Sequence, residues 1–215
     1  MGKPLISHTI RQALSCPFVD RVMVDTDSSR IAKIARRFGA EVPFLRSLKL
    51  AEDASPVADS IFVFLLRLEK QYGYVPKYFM VLQTTSPLRE MEDINRSWEM
   101  MRKNNATTVL TVCSTHPRLY HLDERNNLIL ANKKEKKSTN MQAWPAAYML
   151  NGCFVYIVKT AAFKKERKII TQKTKAVVCD KWRSVDLDTM EDWVVAEILY
   201  KNKERIEKNI KKYEV

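Results

Sequence analysis

Glycine is scarce in this chain. Four occur in 215 residues, at positions 2, 39, 73 and 152, so no segment can form the glycine-rich loop whose backbone amides cradle a triphosphate. Cysteine is as sparse: Cys16, Cys113, Cys153 and Cys179 show no CxxC spacing, which argues against a thiolate metal site and for buried free thiols rather than disulfides. No apolar run approaches the roughly 20 residues that a bilayer span needs, and the first four residues lead into a helical pattern rather than a signal peptide. A cytoplasmic protein with no membrane partner is expected. Aromatics amount to 9% and rarely interleave with the basic runs at 133–137, 164–168 and 201–212. Despite a net charge of +12, nucleic-acid recognition is therefore disfavoured against solvated basic surface. No repeat or low-complexity linker divides the chain, and its length suits one domain with a substantial core.

What is present alternates. Leu5, Ile6, Ile10 and Leu14 make a helical stripe ending before Pro17. A short strand is expected at 21–24, then a helix through Ile31, Ile34, Ala35 and Phe38 with Gly39 where a C-terminal cap belongs. Next come extended residues 41–45, a helix over 57–72, a strand over 78–82, a helix over 91–103 and a β-branched strand over 107–113. Strands alternating with helices predict an α/β fold with a parallel sheet. Residues 115–150 break the rhythm with charges and asparagines, as a projecting hairpin or arm would. Strands return at 154–158 and 176–179, and Thr189 with Asp192 has capping-box spacing ahead of a long C-terminal helix.

The stretch Val81-Leu82-Gln83-Thr84-Thr85-Ser86-Pro87-Leu88-Arg89 carries the strongest functional signal. An apolar strand opens there into polar residues at the carboxyl edge of a sheet, where α/β proteins bind ligands. Gln83 and the hydroxyls after it can hydrogen-bond a sugar or base, or simply make a turn before Pro87. Asp186 and Asp188 stand two apart in an extended segment. Their carboxylates can share one face and hold a hard divalent cation, or Asp188 can serve the following helix as a cap.

Taken in order, Gly2-Lys3-Pro4-Leu5-Ile6, Asp25-Thr26-Asp27, Phe38-Gly39-Ala40-Glu41-Val42, Leu82 to Arg89, Asn151-Gly152 and Val185-Asp186-Leu187-Asp188 resemble acylneuraminate cytidylyltransferases across nearly the whole chain. The resemblance implies a Rossmann-like nucleotidyltransferase sheet, mostly parallel, in one domain over 1–215, with a projecting dimerisation arm at about 115–150. It also implies a homodimer that joins CTP to a sialic-type nonulosonic acid with Mg2+ and releases pyrophosphate. Asp186, Asp188 and Gln83 would be the catalytic set and the two aspartates the metal ligands. Arg46, Ser55, Ser86, Gln142, Asn151 and Tyr156 would bind substrate.

Several positions depart from the family pattern. The strand and glycine-rich, basic loop that precede Gly-Lys-Pro-Leu in family members have no counterpart here, so the chain is expected to be N-terminally truncated relative to them. Met141 stands before Gln142 where the family has arginine, and Val155 takes the place of a tyrosine that Tyr156 can supply by a one-residue shift. Only Ser55 survives of the hydroxyls expected after Asp53. These differences leave a second interpretation beside the enzyme: a catalytically impaired homologue acting as a binding or subunit-interaction module.

Overall fold

The computed structural model describes residues 2–52, 55–131 and 144–213. Helix α1 (Leu5–Leu14) comes directly after Pro4, whose fixed φ of −55° suits a helix start. Helix α2 (Ser29–Arg37) is opened by the Ser28 hydroxyl, which accepts a hydrogen bond from the Ile31 amide at 3.3 Å. The two helices bury Ile10 against Ala32 and Ala35, together with Ala40 and Val42. The expected strands at 21–24 and 41–45 shrink to one parallel bridge, Met23 to Glu41.

Helix α3 (Val57–Tyr72) ends on Gly73 in the left-handed region and leads to strand β1 (Tyr78–Val81). Helix α4 (Met91–Lys103) and strand β2 (Thr108–Thr115) come next. Among the described residues, strands β3 (Tyr120–Leu122) and β4 (Leu128–Leu130) pair only with each other, as a separate antiparallel hairpin. The chain then returns as β5 (Ala147–Leu150) and β6 (Tyr156–Lys159), turns through helix α5 (Thr160–Glu166), and forms β7 (Thr174–Cys179). Helix α6 (Met190–Lys201) opens on the anticipated Thr189–Asp192 capping box. The expected single C-terminal helix is broken at Asn202, where α7 (Lys203–Tyr213) begins.

The mostly parallel sheet inferred from alternation does not form. Among the described residues, the main sheet has three antiparallel ladders, β1 with β6, β2 with β6 and β2 with β5, and one parallel ladder, β2 with β7. The cause is strand β6, which enters the sheet after the hairpin. Strands β1 and β2 run the same way, being both antiparallel to β6, but β6 takes the place between them. Local alternation shows that β1 and β2 share a direction, not that a later strand separates them.

Strands β5 and β6 lie along the same edge of β2, interrupted by a bulge. Leu110 pairs with Tyr156 and Val112 with Leu150, so a step of two residues on β2 faces a step of six on the partner. Residues 151–154 are pushed out of the ladder. The core beneath this sheet centres on Val109, Phe154, Val155, Ile157 and Ile94, with Phe18 stacked on Trp98 at 5.0 Å along its rim. All four cysteines are buried free thiols. No helix among the described residues is long and apolar enough to cross a membrane.

Candidate active site

The bulge has a purpose: it meets the loop leaving β1. The Gln83 amide donates to the Cys153 carbonyl at 3.0 Å, and the Cys153 amide donates to Gln83 Oε1 at 3.2 Å. Both the backbone and the side chain of Gln83 are thereby pinned to the bulge. A third segment closes the ring, since the Leu187 amide donates to the Thr85 carbonyl at 2.9 Å. Asn151 ties the bulge to the same segment: it accepts from Thr111 Oγ1 at 2.9 Å and donates from Nδ2 to Ser184 Oγ at 3.1 Å. Three stretches widely separated in sequence, 83–89, 151–155 and 184–188, thus converge at one end of the sheet.

Asp186 sits where they meet. Gly152 has φ +69°, and a Cβ built on it would lie 2.4 Å from Asp186 Oδ2, so only glycine lets the bulge backbone lie against this carboxylate. Asp186 Oδ1 is buried and has no hydrogen-bond partner among the described residues. Burial first, and then the charge of Asp186, push the neighbouring Cys153 thiol up to about 11. Burial likewise raises the Tyr156 hydroxyl, with further upward pressure from Cys153, to which it hydrogen-bonds, and from Asp186. A desolvated carboxylate oxygen without a donor is costly to a folded chain, and a cation is the group that would satisfy it.

Asp188 lies two residues on, exposed beside the start of α6. The cap of α6 is made by others: Thr189 and Asp192 bond reciprocally, and Asp192 Oδ2 also accepts from the Asp188 amide at 3.2 Å. No described hydrogen bond or ion pair engages the Asp188 carboxylate. An oxygen-only pair of carboxylates fits magnesium, which keeps several waters and uses one or two protein carboxylates. No third acid, histidine or cysteine joins them among the described residues.

The whole segment hangs on Arg183. In the turn after β7 its guanidinium grips the fully buried Asp93 of α4 in a bidentate pair, Nη1 to Oδ2 at 2.5 Å and Nη2 to Oδ1 at 3.0 Å. Only Ser184 and Val185 separate this anchor from Asp186.

The remaining residues named from the sequence fall in three groups. Ser86 is buried beside the site, its hydroxyl without a partner among the described residues. Tyr156, not Val155, shares surroundings with Cys153 and Asp186, because Val155 packs into the core on the other face. Arg46 and Ser55 are each engaged elsewhere. Arg46 pairs with Asp25 at 2.9 Å beside a cavity of about 130 Å3 that Ser60, Phe64 and Arg67 also line. Burial raises the Asp25 carboxyl, and Arg46 opposes that rise. The Ser55 hydroxyl donates to the Lys49 carbonyl at 2.8 Å. No described hydrogen bond or ion pair joins Arg46 or Ser55 to Asp186. Gln142 and Met141 lie outside the described residues.

The sequence profile of the cytidylyltransferase family matches residues 1–210. The chain belongs to that family. It is 31% identical over 201 residues to a Legionella pneumophila protein named CMP-N,N'-diacetyllegionaminic acid synthase, covering 92% of this chain and 85% of that one. A Campylobacter jejuni pseudaminic acid cytidylyltransferase is 28% identical over 207 residues, with 94% and 87% covered. Among solved structures, a CMP:2-keto-3-deoxy-manno-octonic acid synthetase complexed with CTP superposes with a TM-score of 0.61 at 16% identity, covering 94% of this chain and 90% of that one. The 4-diphosphocytidyl-2C-methyl-D-erythritol synthase of Anaerococcus prevotii gives 0.60 at 12%, with 93% and 87% covered. At such identities these two likenesses concern the fold. Nothing among the relatives favours the interpretation of this cytidylyltransferase as a non-catalytic module.

Sequence reasoning names the two ends of the site and misses what joins them. Gly152 is visible only as half of the Asn151-Gly152 motif, and its contact with Asp186 has no local signature. Arg183 and Thr111 carry no signal either, because their partners lie 90 and 40 residues away.

Proposed function

We propose that this chain transfers CMP from CTP to a nonulosonic sugar acid and releases pyrophosphate. The observation that carries the proposal is Asp186 Oδ1, buried without a donor among the described residues at the junction of the three segments. Support comes also from relatives named for CMP-legionaminic acid synthesis and pseudaminic acid cytidylyl transfer. In the reaction the anomeric hydroxyl of the sugar attacks the α-phosphorus of CTP, the bond to the β-phosphate oxygen breaks, and pyrophosphate departs. Positioning and neutralisation of charge supply most of the rate. Asp186 and Asp188 would hold Mg2+, which offsets the charge gathering on the leaving pyrophosphate.

Gln83 meets the sugar in this scheme. Its Oε1 already accepts from the Cys153 amide, so its Nε2 remains to donate, and the group it meets on the sugar is an oxygen acceptor. Arg46 faces the nucleotide, Ser86, Asn151 and Tyr156 shape the rest of the pocket, and Ser55 and Gln142 are assigned to substrate by the family resemblance alone. Asn151 acts through the backbone it holds, its amide being committed to Thr111 and Ser184. Purified protein given CTP, Mg2+ and a panel of nonulosonic acids is expected to release pyrophosphate with at least one of them, measured by a coupled phosphate assay. Silence across the panel contradicts the proposal.

The proposal includes a homodimer built on the arm. Leu122 and Leu128 of the hairpin and Tyr148 and Met149 of β5 are all exposed, an apolar surface of the kind that interfaces cover. Light scattering on the eluted protein is expected to give twice the chain mass of 25.1 kDa. A mass of one chain at micromolar concentration contradicts it.

A further inference from the structure

Arg89 is 3% exposed, yet no described carboxylate pairs with its guanidinium; burial lowers its pKa to about 10, and the charge of Asp93 only partly offsets this. Buried arginines are ordinarily held by acids. Here the guanidinium is held by neutral acceptors on three separate elements. Nη1 donates to the Gln83 carbonyl at 3.0 Å and to the Phe154 carbonyl at 2.9 Å. Nη2 donates to Thr9 Oγ1 at 3.0 Å, and Nε donates to Gln12 Oε1 at 3.1 Å. Gln12 completes a reciprocal pair by donating from Nε2 to the Arg89 carbonyl at 2.6 Å.

The two Nη1 bonds fall on the residues that present the site. One ends on the carbonyl of Gln83 itself. The other ends on Phe154, next to the Cys153 amide that orients the Gln83 side chain. The shared nitrogen fixes the separation of these two carbonyls, and α1 fixes the guanidinium. A lysine, with one nitrogen, cannot span both carbonyls and reach Thr9 and Gln12 as well.

We infer that Arg89 is a positioning residue that sets the gap between the β1 exit loop and the 151–154 bulge, and so presents Gln83 to the sugar acid without touching it. The inference rests on the assignment of Gln83 to the sugar. It predicts that Arg89→Lys raises KM for the sugar acid about tenfold or more, with KM for CTP changed less than about twofold. Because Arg89→Lys can fail to fold, Gln12→Met is the second variant: it removes both bonds from Gln12 to residue 89 and keeps the charge, and it is expected to raise the sugar KM severalfold, again without moving that for CTP. Equal changes in both KM values, or none in either, overturn the inference. Hydrogen exchange separates this failure from failure of the proposed reaction. In either variant the Gln83 and Cys153 amides are expected to lose protection while those of Val109 and Val177 keep theirs, whether or not any sugar acid turns over. Unchanged exchange at Gln83 and Cys153 overturns the positioning role even in an inactive enzyme.

Discussion

Asp186→Asn is expected to lower kcat by about 10²–10³ in the presence of CTP and Mg2+, the loss that follows from its proposed role as a ligand to the charge-neutralising cation. The same change leaves Tm unchanged or raises it. The carboxylate oxygen Oδ1 is desolvated and has no partner among the described residues, so neutralising it removes a cost that folding bears alone. The amide keeps the shape that Gly152 accommodates. Loss of activity with gain of stability marks a residue held for function. Steady-state kinetics and a thermal melt on one preparation check it. A variant that keeps its kcat, or loses it together with several degrees of Tm, contradicts the role assigned to Asp186.

Arg183→Met has the largest expected effect on stability, a loss of about 3–5 kcal/mol, or roughly 6–20 °C in Tm for a chain of this size. Both partners are buried, with side-chain exposures of 7% for Arg183 and 0% for Asp93, so removing the cation strands an uncompensated carboxylate in the core. Adding Asp93→Leu to Arg183→Met is expected to recover much of that loss, because the stranded charge goes too. Recovery stays incomplete by about 1 kcal/mol, since Asp93 Oδ2 also accepts from the Glu90 amide at 2.9 Å and completes the capping box of α4. Urea unfolding of the two variants measures both effects. A cost below about 1 kcal/mol for Arg183→Met would mean that the pair does not anchor the segment carrying Asp186.

Much of this architecture is legible in the sequence one element at a time. The bounds of α3 and α4 agree with helical periodicity and end signals, and the Thr189–Asp192 box forms as its spacing implies. Pairing is not legible. Residues 21–24 and 41–45 have strand-like sequences but make one bridge, because a strand needs a neighbour that local sequence does not disclose. The antiparallel β6 enters between β1 and β2 from far downstream, and no periodicity in β1 or β2 anticipates it. At the site, the carboxylates and Gln83 are readable from residue type and position. Their mutual placement rests on the bulge at 151–154, on Gly152 against Asp186, and on buried arginines whose partners are distant. Such contacts belong to the folded chain.

The residues gathered around Asp186 are proposed to join a sugar's anomeric oxygen to the α-phosphorus of CTP. Mass spectrometry of the product formed from a nonulosonic acid carrying 18O at the anomeric hydroxyl follows that oxygen. A CMP-sugar that retains the label in its bridging oxygen, with unlabelled pyrophosphate, is expected. Unlabelled CMP-sugar, or CMP alone with the sugar acid returned intact, would contradict it.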